Sequence, residues 1–192
     1  MNTFAEVQKV RSLFCDLHCQ WFVCGGWAID LFLNRVTRRH KDIDIAIARN
    51  DQFKVRDYLW QRGWKLEKAI DGKLIPWIGN EPLVLPVHTI WCRKDKYDPN
   101  FVEVLLNEIE EDQFRFRRDR SITLARERMF FTTSCGLLVL APEIVLLYKS
   151  NSPEEYDADF QNTAKSLAEE SRVWLKVSLN RLFAQHPWVG RL

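Results

Sequence analysis

Residues 25–45, with the sequence GGWAIDLFLNRVTRRHKDIDI, decide the fold of this chain. The two glycines follow a short apolar run, which predicts a strand that enters a tight turn and then a short helix over 27–33. At the other end of the stretch, residues 42–47 alternate polar and apolar side chains, which predicts a second strand. Side chains two residues apart on a strand point to the same face, so Asp42 and Asp44 project together while the isoleucines face the core.

Paired carboxylates on one strand indicate a metal site. Asp42 and Asp44 would repel each other on a sheet face unless a cation lay between them, and Mg²⁺ prefers oxygen ligands of this kind. Glu103 lies alone in the apolar run 101–106 and needs a partner if it is buried. The alternatives are a solvated edge strand for the two aspartates and an edge acid paired with an arginine for Glu103.

If the strands of Asp44 and Glu103 are neighbours, the three acids form one cluster. Such a cluster can hold two magnesium ions about 3.5–4 Å apart. One ion would help to deprotonate an acceptor hydroxyl, and the other would bind a triphosphate and offset the charge of its leaving pyrophosphate.

Gly25 and Gly26 are a weaker signal by themselves. The helix N-terminus beyond them offers free N–H groups to a phosphate, although most Gly-Gly turns are structural. The dinucleotide-binding pattern Gly-x-Gly-x-x-Gly is missing, and no Gly-Lys-Ser/Thr follows as in a Walker A loop.

Composition restricts the function classes. The 192 residues suffice for one domain, or one domain with a small lobe, whose core needs no disulfide or metal. A net charge of +2 argues against a simple polybasic nucleic-acid or membrane binder. Neither a run of about 18 apolar residues nor a signal-peptide pattern occurs, so we expect a cytoplasmic protein with no membrane partner. Five cysteines without a C-x-x-C pair favour reduced thiols over a metal site at Cys15, His18 and Cys19.

The predicted elements are a mixed α/β series followed by helices. Helices are expected over 4–19, 27–33, 52–62, 142–149, 157–169 and 172–185, and strands over 21–24, 42–47, 64–70, 73–78, 84–91 and 101–106. Thr3 and Glu6 predict a capping box for the first helix, and Asp51 a cap for the third. We therefore expect an α/β (α+β) fold with a mixed sheet flanked by helices over residues 1–140. A helical C-terminal lobe over 141–192 would complete one compact unit.

Two segments within the opening stretch, Gly25–Asp30 and Arg38–Asp44, resemble the signature of the nucleotidyltransferase superfamily that includes DNA polymerase β. Within it, the chain is most similar to the small bacterial aminoglycoside and lincosamide nucleotidyltransferases, and residues 141–149 and 157–160 resemble their C-terminal lobe. The resemblance implies transfer of an NMP group from an NTP to a hydroxyl of a small molecule, with such antibiotics as the acceptor class. Asn34 stands where relatives often have Gly, and Asn tolerates the left-handed conformation.

The resemblance also implies roles for single residues. Gly25 and Gly26 would cradle the nucleotide phosphates, while Asp42 and Asp44 would bind magnesium. Glu103, at a position that is often Asp in the family, would be the third metal ligand and the candidate general base for the acceptor hydroxyl.

Charged side chains around these motifs provide secondary candidates. Arg39, in the basic block 35–41, either reaches the triphosphate or belongs to a solvated loop. The resemblance places Lys149 near the nucleotide, although the dipole of its helix alone favours a lysine there. Asp30 predicts a salt bridge that orients the basic loop. An acidic block offers ligands for a polycationic acceptor or, alternatively, acids favoured at a helix N-terminus: Glu155, Asp157 and Asp159.

Two rival functions stay open. Six arginines over 115–128 would suit an RNA backbone, which keeps a toxin-type nucleotidyltransferase acting on tRNA as the alternative. Asp119, Glu127 and a pI near 8.3 argue against a large RNA footprint. A catalytically silent nucleotide-binding module is disfavoured because all three carboxylates are present. The sequence leaves the nucleobase, the acceptor and the oligomeric state open.

Overall fold

The computed structural model describes residues 4–192. Within them, the α-helices are Ala5–Leu13 (α1), Gly25–Phe32 (α2), Gln52–Gln61 (α3), Pro142–Lys149 (α4), Asp157–Ala164 (α5) and Glu169–Leu182 (α6). The strands are Trp21–Val23 (β1), Asp44–Ala48 (β2), Lys65–Ile70 (β3), Lys73–Pro76 (β4), Thr89–Arg93 (β5), Phe101–Glu110 (β6), Gln113–Arg115 (β7), Thr123–Ala125 (β8), Phe130–Thr132 (β9) and Leu138–Leu140 (β10). The predicted mixed α/β fold is confirmed.

The sheet brings the two acidic motifs side by side. Its main path has the order β4-β3-β5-β6-β2-β1-β10-β9, with β7 and β8 added at the far end of β6. The pairs β2–β6 and β1–β10 are parallel, and the other neighbours along the path are antiparallel. The parallel pair β2–β6 therefore joins the strand that begins at Asp44 to the strand that contains Glu103.

The two faces of the sheet differ in side-chain chemistry. One face carries cross-strand partners that are inaccessible to solvent: Ile45, Val104 and Ile90. The next row along the same strands consists of Asp44, Glu103 and Trp91, which are half-buried, and it continues to Glu67 on β3. We call this second face the open face. Strand alternation thus keeps the acids on the open face and the isoleucines in the core.

Helices α2 and α4 frame the site from the side of β1 and β10. The residues of α2 from Gly26 to Asp30 are buried, and α4 is buried from Pro142 to Leu147. Pro142 stands in the first turn of α4, where its missing N–H costs nothing. Helix α4 packs against α2 and α6. No helix within residues 4–192 combines the length and apolar character needed to cross a bilayer.

Several elements differ from the sequence predictions. The first helix ends at Leu13, well before residue 19, and its predicted cap Thr3 lies outside the described residues. The strand expected over 84–91 is Thr89–Arg93, because prolines within 82–86 cannot donate to a sheet ladder. The four strands β7–β10 have three residues each, too few for a pattern of alternation to predict them.

Smaller corrections concern caps and helix ends. The predicted cap residue Asp51 makes no side-chain capping hydrogen bond, and its carboxylate pairs with Lys54 at 2.7 Å. Helix α5 ends at Ala164 rather than at 169, and α6 already begins at Glu169. The turn between them therefore spans residues 165–168, two residues longer than the predicted turn at 170–171, and both helices end earlier in the sequence than the periodicity of the apolar residues indicates.

Candidate active site

Three carboxylates converge where β2 begins. Glu103 lies directly opposite Asp44 in the parallel ladder, and its N–H donates to the Ile43 carbonyl at 3.2 Å. Asp42 precedes the strand by two residues and points to the same place. One carboxylate oxygen from each of the three residues lies within 4.8 Å of the others. The structure thus brings together the three acids that the sequence could only place on two separate strands.

The surroundings of the cluster disfavour ionisation of Asp44 and Glu103. Burial, together with the charges of Glu103 and Asp42, raises the pKa of Asp44 to about 7. Burial and the charge of Asp42 also raise the pKa of Glu103, although a hydrogen bond from the Trp91 side chain opposes the shift. Three hard oxygen donors that repel one another are a donor set that suits a divalent cation such as Mg²⁺.

Gly25 and Gly26 are required by the close approach of α2 to this cluster. Gly25 has φ +62°, and a Cβ added there would fall on Oδ2 of Asp44. A Cβ on Gly26 would lie 2.6 Å from Nη2 of Arg38 and from the His40 ring. The N–H of Cys24 donates to the Asp44 carbonyl at 2.9 Å, which fixes the start of the helix against β2. The first N–H groups of α2 consequently lie beside the carboxylates.

The loop between α2 and β2 is organised by a buried aspartate. Asp30 accepts hydrogen bonds from the N–H of Thr37 at 3.1 Å and from its hydroxyl at 2.6 Å, and it contacts Nε2 of His40 at 2.5 Å. Asp30 therefore orients the basic loop, as predicted, through its contacts with Thr37 and His40. Asn34 has φ +51°, the left-handed conformation that the sequence comparison with glycine indicates.

A cavity of about 520 Å³ opens directly onto the carboxylates. Its walls include Arg38 and Lys149, with the exposed Arg39 and Glu155 toward its rim. Lys149 comes from the last turn of α4, and its proximity to the nucleotide, which the resemblance implies, stays a prediction. The cavity therefore combines an acidic floor with cationic walls.

The three candidates in the acidic block have different surroundings. Asp159 is buried and already paired with Arg38 and Lys149. Asp157 pairs with Arg191 at 2.5 Å. Glu155 is exposed at the cavity and is the member of the block whose carboxylate faces solvent there. Acceptor binding by these acids stays a prediction, and the pairing leaves Glu155 as its best-placed member.

A second cavity, of about 220 Å³, also borders Asp44. Neither Glu103 nor Trp91 lines it. Arg117 and Arg118 line it together with Tyr148, and it shares Asp44 and Lys149 with the larger cavity. Burial lowers the pKa of both arginines. Arg118 donates to the Tyr148 carbonyl at 3.1 Å, and the Arg117 guanidinium lies 5.5 Å from the centre of the Tyr148 ring. The sequence analysis noted these arginines without assigning them to the site.

The rest of the 115–128 arginine block is engaged within the protein. Arg115 and Arg120 both pair with Glu110. Arg126 donates to the side chain of Gln20 at 2.6 Å, and Arg128 lies 3.8 Å from Glu170. These partners leave the block with little free positive surface beyond the two arginines in the cavity.

An aromatic surface lies next to Glu103, on the side of β5. Trp91 packs edge-to-face on Phe101, with ring centres 5.3 Å apart. The Arg93 guanidinium lies 4.8 Å from the Trp91 ring centre and pairs with Glu67 at 3.1 Å. Trp91, Arg93, Phe101 and Glu67 together are called the aromatic platform. Both Arg93 and Glu67 are partly exposed, so the platform borders solvent next to Glu103.

Comparison with known proteins places these features in a family. A family model described as aminoglycoside-2''-adenylyltransferase matches residues 6–119, which include the glycine turn and the three carboxylates. A 2''-aminoglycoside nucleotidyltransferase of Escherichia coli is 26% identical over 92 residues, which are 48% of this chain and 51% of that protein. One from Klebsiella pneumoniae is 30% identical over 92 residues, again 48% of this chain and 51% of the relative. The chain thus matches about half the length of these curated relatives.

Solved structures show the same fold over a longer part of the chain. The crystal structure of ANT(2'')-Ia in complex with adenylyl-2''-tobramycin matches with a TM-score of 0.60 and 14% identity, covering 95% of this chain and 100% of the other. The lincomycin-bound lincosamide adenylyltransferase LnuA matches with a TM-score of 0.57 and 20% identity, covering 82% and 93% of the two chains. At these identities the likeness concerns the fold.

Proposed function

The chain belongs to the aminoglycoside-2''-adenylyltransferase family, and on this premise we propose that it moves an NMP group from an NTP to a hydroxyl of an antibiotic. Aminoglycosides or lincosamides are the proposed acceptor class, because the similar proteins carry those names. The observation that carries the proposal is the group of three carboxylates within 4.8 Å of one another beside the glycine turn.

Asp42, Asp44 and Glu103 would hold the magnesium. Burial and mutual repulsion, which together raise the pKa of Asp44 and Glu103, support a cation as the missing counter-charge. When bound, magnesium supplies charge neutralisation for the triphosphate and lowers the pKa of a coordinated hydroxyl. The chain's own part is to hold three ligand oxygens on two hydrogen-bonded strands, where the ladder fixes their spacing.

Cationic and helix-terminal groups would bind the triphosphate. The first N–H groups of α2, at Gly25 and Gly26, have no partner within the helix and suit phosphate oxygens. Arg38 and Lys149 lie on the cavity wall, and Arg39 lies at its rim. The smaller cavity with Arg117 adds a further anion-favouring wall that is continuous with Asp44. These positions support the nucleotide on the side of Asp44 that faces α4.

The acceptor would then approach from the side of Glu103. An aromatic face such as that of Trp91 packs well against an apolar ring or the apolar face of a sugar. Glu103 has a raised pKa and a position at the edge of the platform, as a general base for an acceptor hydroxyl requires. The arrangement supports an in-line transfer in which the hydroxyl and the pyrophosphate lie on opposite sides of the reacting phosphorus.

An RNA acceptor is less well supported. Binding along an RNA backbone needs several free cations on one surface. Four arginines of the 115–128 block are engaged with side chains of the protein itself, and the other two line a cavity of about 220 Å³. The same carboxylate cluster argues against a silent nucleotide-binding module.

The decisive experiment is an acceptor screen. The chain is incubated with Mg²⁺ and each of the four NTPs in the presence of a panel of aminoglycosides and lincosamides, and products are identified by mass spectrometry. We expect a nucleotidylated antibiotic with at least one NTP, lost when Mg²⁺ is chelated. Parallel incubation with tRNA tests the rival, and label on tRNA with none on any antibiotic would overturn the proposed acceptor class.

A further inference from the structure

Asp159 joins three segments that meet at the site. It lies in the first turn of α5, and its carboxylate is 4% exposed. Its Oδ1 accepts from Nε of Arg38 at 3.2 Å and its Oδ2 from Nη2 at 3.3 Å, across 121 residues of chain. Nζ of Lys149, at the end of α4, lies 2.9 Å from the same Oδ2. A single buried acid therefore holds one cation from the loop after α2 and one from α4.

Both of these cations border the cavity that contains the carboxylates. Arg38 is so close to the glycine turn that a Cβ on Gly26 would lie 2.6 Å from its Nη2. Lys149 is also in contact with the Tyr156 ring, with Nζ 3.8 Å from the ring centre. The pair thus flanks the N-terminus of α2 at fixed positions, although both side chains are long and flexible.

Fixing such side chains before a ligand arrives has an energetic effect. A free lysine or arginine loses rotamer entropy when it is ordered. Two cations close together also repel each other unless an anion lies between them. An acid that orders both and separates their charges makes the site complementary to phosphates in advance.

We propose that Asp159 is a positioning residue that sets Arg38 and Lys149 for the phosphates of the bound NTP. The inference rests on the proposed function, and it assigns Asp159 to the nucleotide side of the site rather than to the acceptor. Asp159 itself does not contact the substrate. It acts through the two cations, whose direction it fixes.

The chain contains a matched control two residues away. Asp157 also lies in the first turn of α5 and also pairs with an arginine, Arg191, at 2.5 Å. Arg191 is exposed and lies in the C-terminal turn 189–191, and it does not line the cavity with the carboxylates. Replacing Asp157 removes the same kind of ion pair from the same helix without touching Arg38 or Lys149.

The test compares Asp159→Asn with Asp157→Asn in the full chain. Binding of Mg·ATP and of the other three Mg·NTPs is measured by calorimetry, and KM and kcat are measured with an acceptor found in the screen. We expect Asp159→Asn to weaken NTP binding about tenfold, the loss of one well-placed charge-assisted contact, with acceptor KM within about twofold of wild type. Asp157→Asn should leave NTP binding unchanged, because Asp157 contacts neither Arg38 nor Lys149. A merely structural role would instead lower the thermal midpoint and the active fraction, while KM for NTP stayed constant.

Two further variants keep the proposal open to refutation. Asp159→Glu retains the charge and displaces the cations slightly, so we expect a smaller loss of NTP affinity even if Asp159→Asn does not fold. In a Lys149→Met background, Asp159→Asn should have a reduced effect, since one of its two targets is gone. Wild-type NTP affinity in folded Asp159→Asn would overturn this proposal alone. Failure of the wild-type chain to bind any Mg·NTP would overturn it together with the proposed function.

Discussion

The two sides of the carboxylate row differ in chemistry although they share one sheet. On the α4 side, Asp44 borders a cavity with Arg117, Arg118 and Lys149. On the β5 side, Glu103 borders the aromatic platform, where Trp91 is flanked by the Glu67–Arg93 pair. On the first side, Arg117 and Arg118 have no carboxylate partner within residues 4–192, and Lys149 shares Asp159 with Arg38, an arrangement that suits a polyanion. On the other side, an aromatic face with a balanced ion pair suits a ring. Under the proposed function, this asymmetry would give the nucleotide and the acceptor different places before either is bound.

The largest expected effect is at Asp44, which lies between the two sides and lines both cavities. Asp44→Asn removes one ligand of the proposed metal site, so we expect transfer to fall by roughly 10³-fold or more with every acceptor. Mg²⁺ should raise the thermal midpoint of the wild type and not that of the variant. Asp51→Asn, a half-buried aspartate paired with Lys54, is the control. Wild-type turnover by Asp44→Asn would contradict the assignment of Asp44 as a metal ligand between the two sides.

The next largest effect is expected at Gly25, whose missing side chain leaves room for the Asp44 carboxylate. Gly25→Ala places a side chain at φ +62° and on top of Asp44, so we expect the free energy of unfolding to fall by about 3 kcal/mol. Gly72→Ala has nearly the same strain at φ +72° and open space around it, and should cost only about 1 kcal/mol. Chemical denaturation measures both. Equal losses would mean that the contact with Asp44 contributes nothing.

Arg117→Met tests the nucleotide side alone. We expect KM for the NTP to rise about tenfold, as for loss of a charge-assisted hydrogen bond, while KM for the acceptor stays constant. Arg115→Met is the matched control, since Arg115 is two residues away and pairs with Glu110 at 2.9 Å outside the cavity. If only the KM for the acceptor rose, the acceptor rather than the nucleotide would bind on the side of Arg117.

The smallest effect is expected on the acceptor side. Trp91→Leu removes the aromatic face, so KM for the acceptor should rise about fivefold, in line with about 1 kcal/mol for such a contact. KM for the NTP should not change. Trp60→Leu, at a half-buried tryptophan on α3, controls for loss of an indole elsewhere. If acceptor KM were the same in both variants, the platform would have no part in acceptor binding.

The sequence predicted one side of the site better than the other. Alternation in residues 42–47 and the isolated acid in 101–106 are local patterns, and they predict a three-carboxylate cluster on the condition that the two strands are neighbours, which the structure confirms. The cationic wall of the larger cavity is assembled from distant segments, and the Asp159–Arg38 pair alone spans 121 residues. Nothing in the local pattern around Asp159 distinguishes a buried partner of two cations from an exposed acid at a helix N-terminus.

The aromatic platform shows the same limit in another form. Trp91 lies in a run whose strand character is visible, but its place beside Glu103 depends on the antiparallel register of β5 with β6. The predicted strand over 84–91 would end where the observed one has its centre. Sequence periodicity gives the face of a residue, whereas the neighbour across the sheet depends on register, which is set by tertiary packing.

The register of β2 with β6 links the hydrophobic core to the proposed metal site. Because strand side chains alternate, a slip of one residue would bring Val102 or Val104 to the position of Glu103 and turn the acid into the core. The row of acids and the row of buried isoleucines and valines thus depend on the same strand register. A deletion or insertion within β6 would therefore disturb the hydrophobic core and the row of acids together, so a sheet that stays folded also keeps Glu103 opposite Asp44.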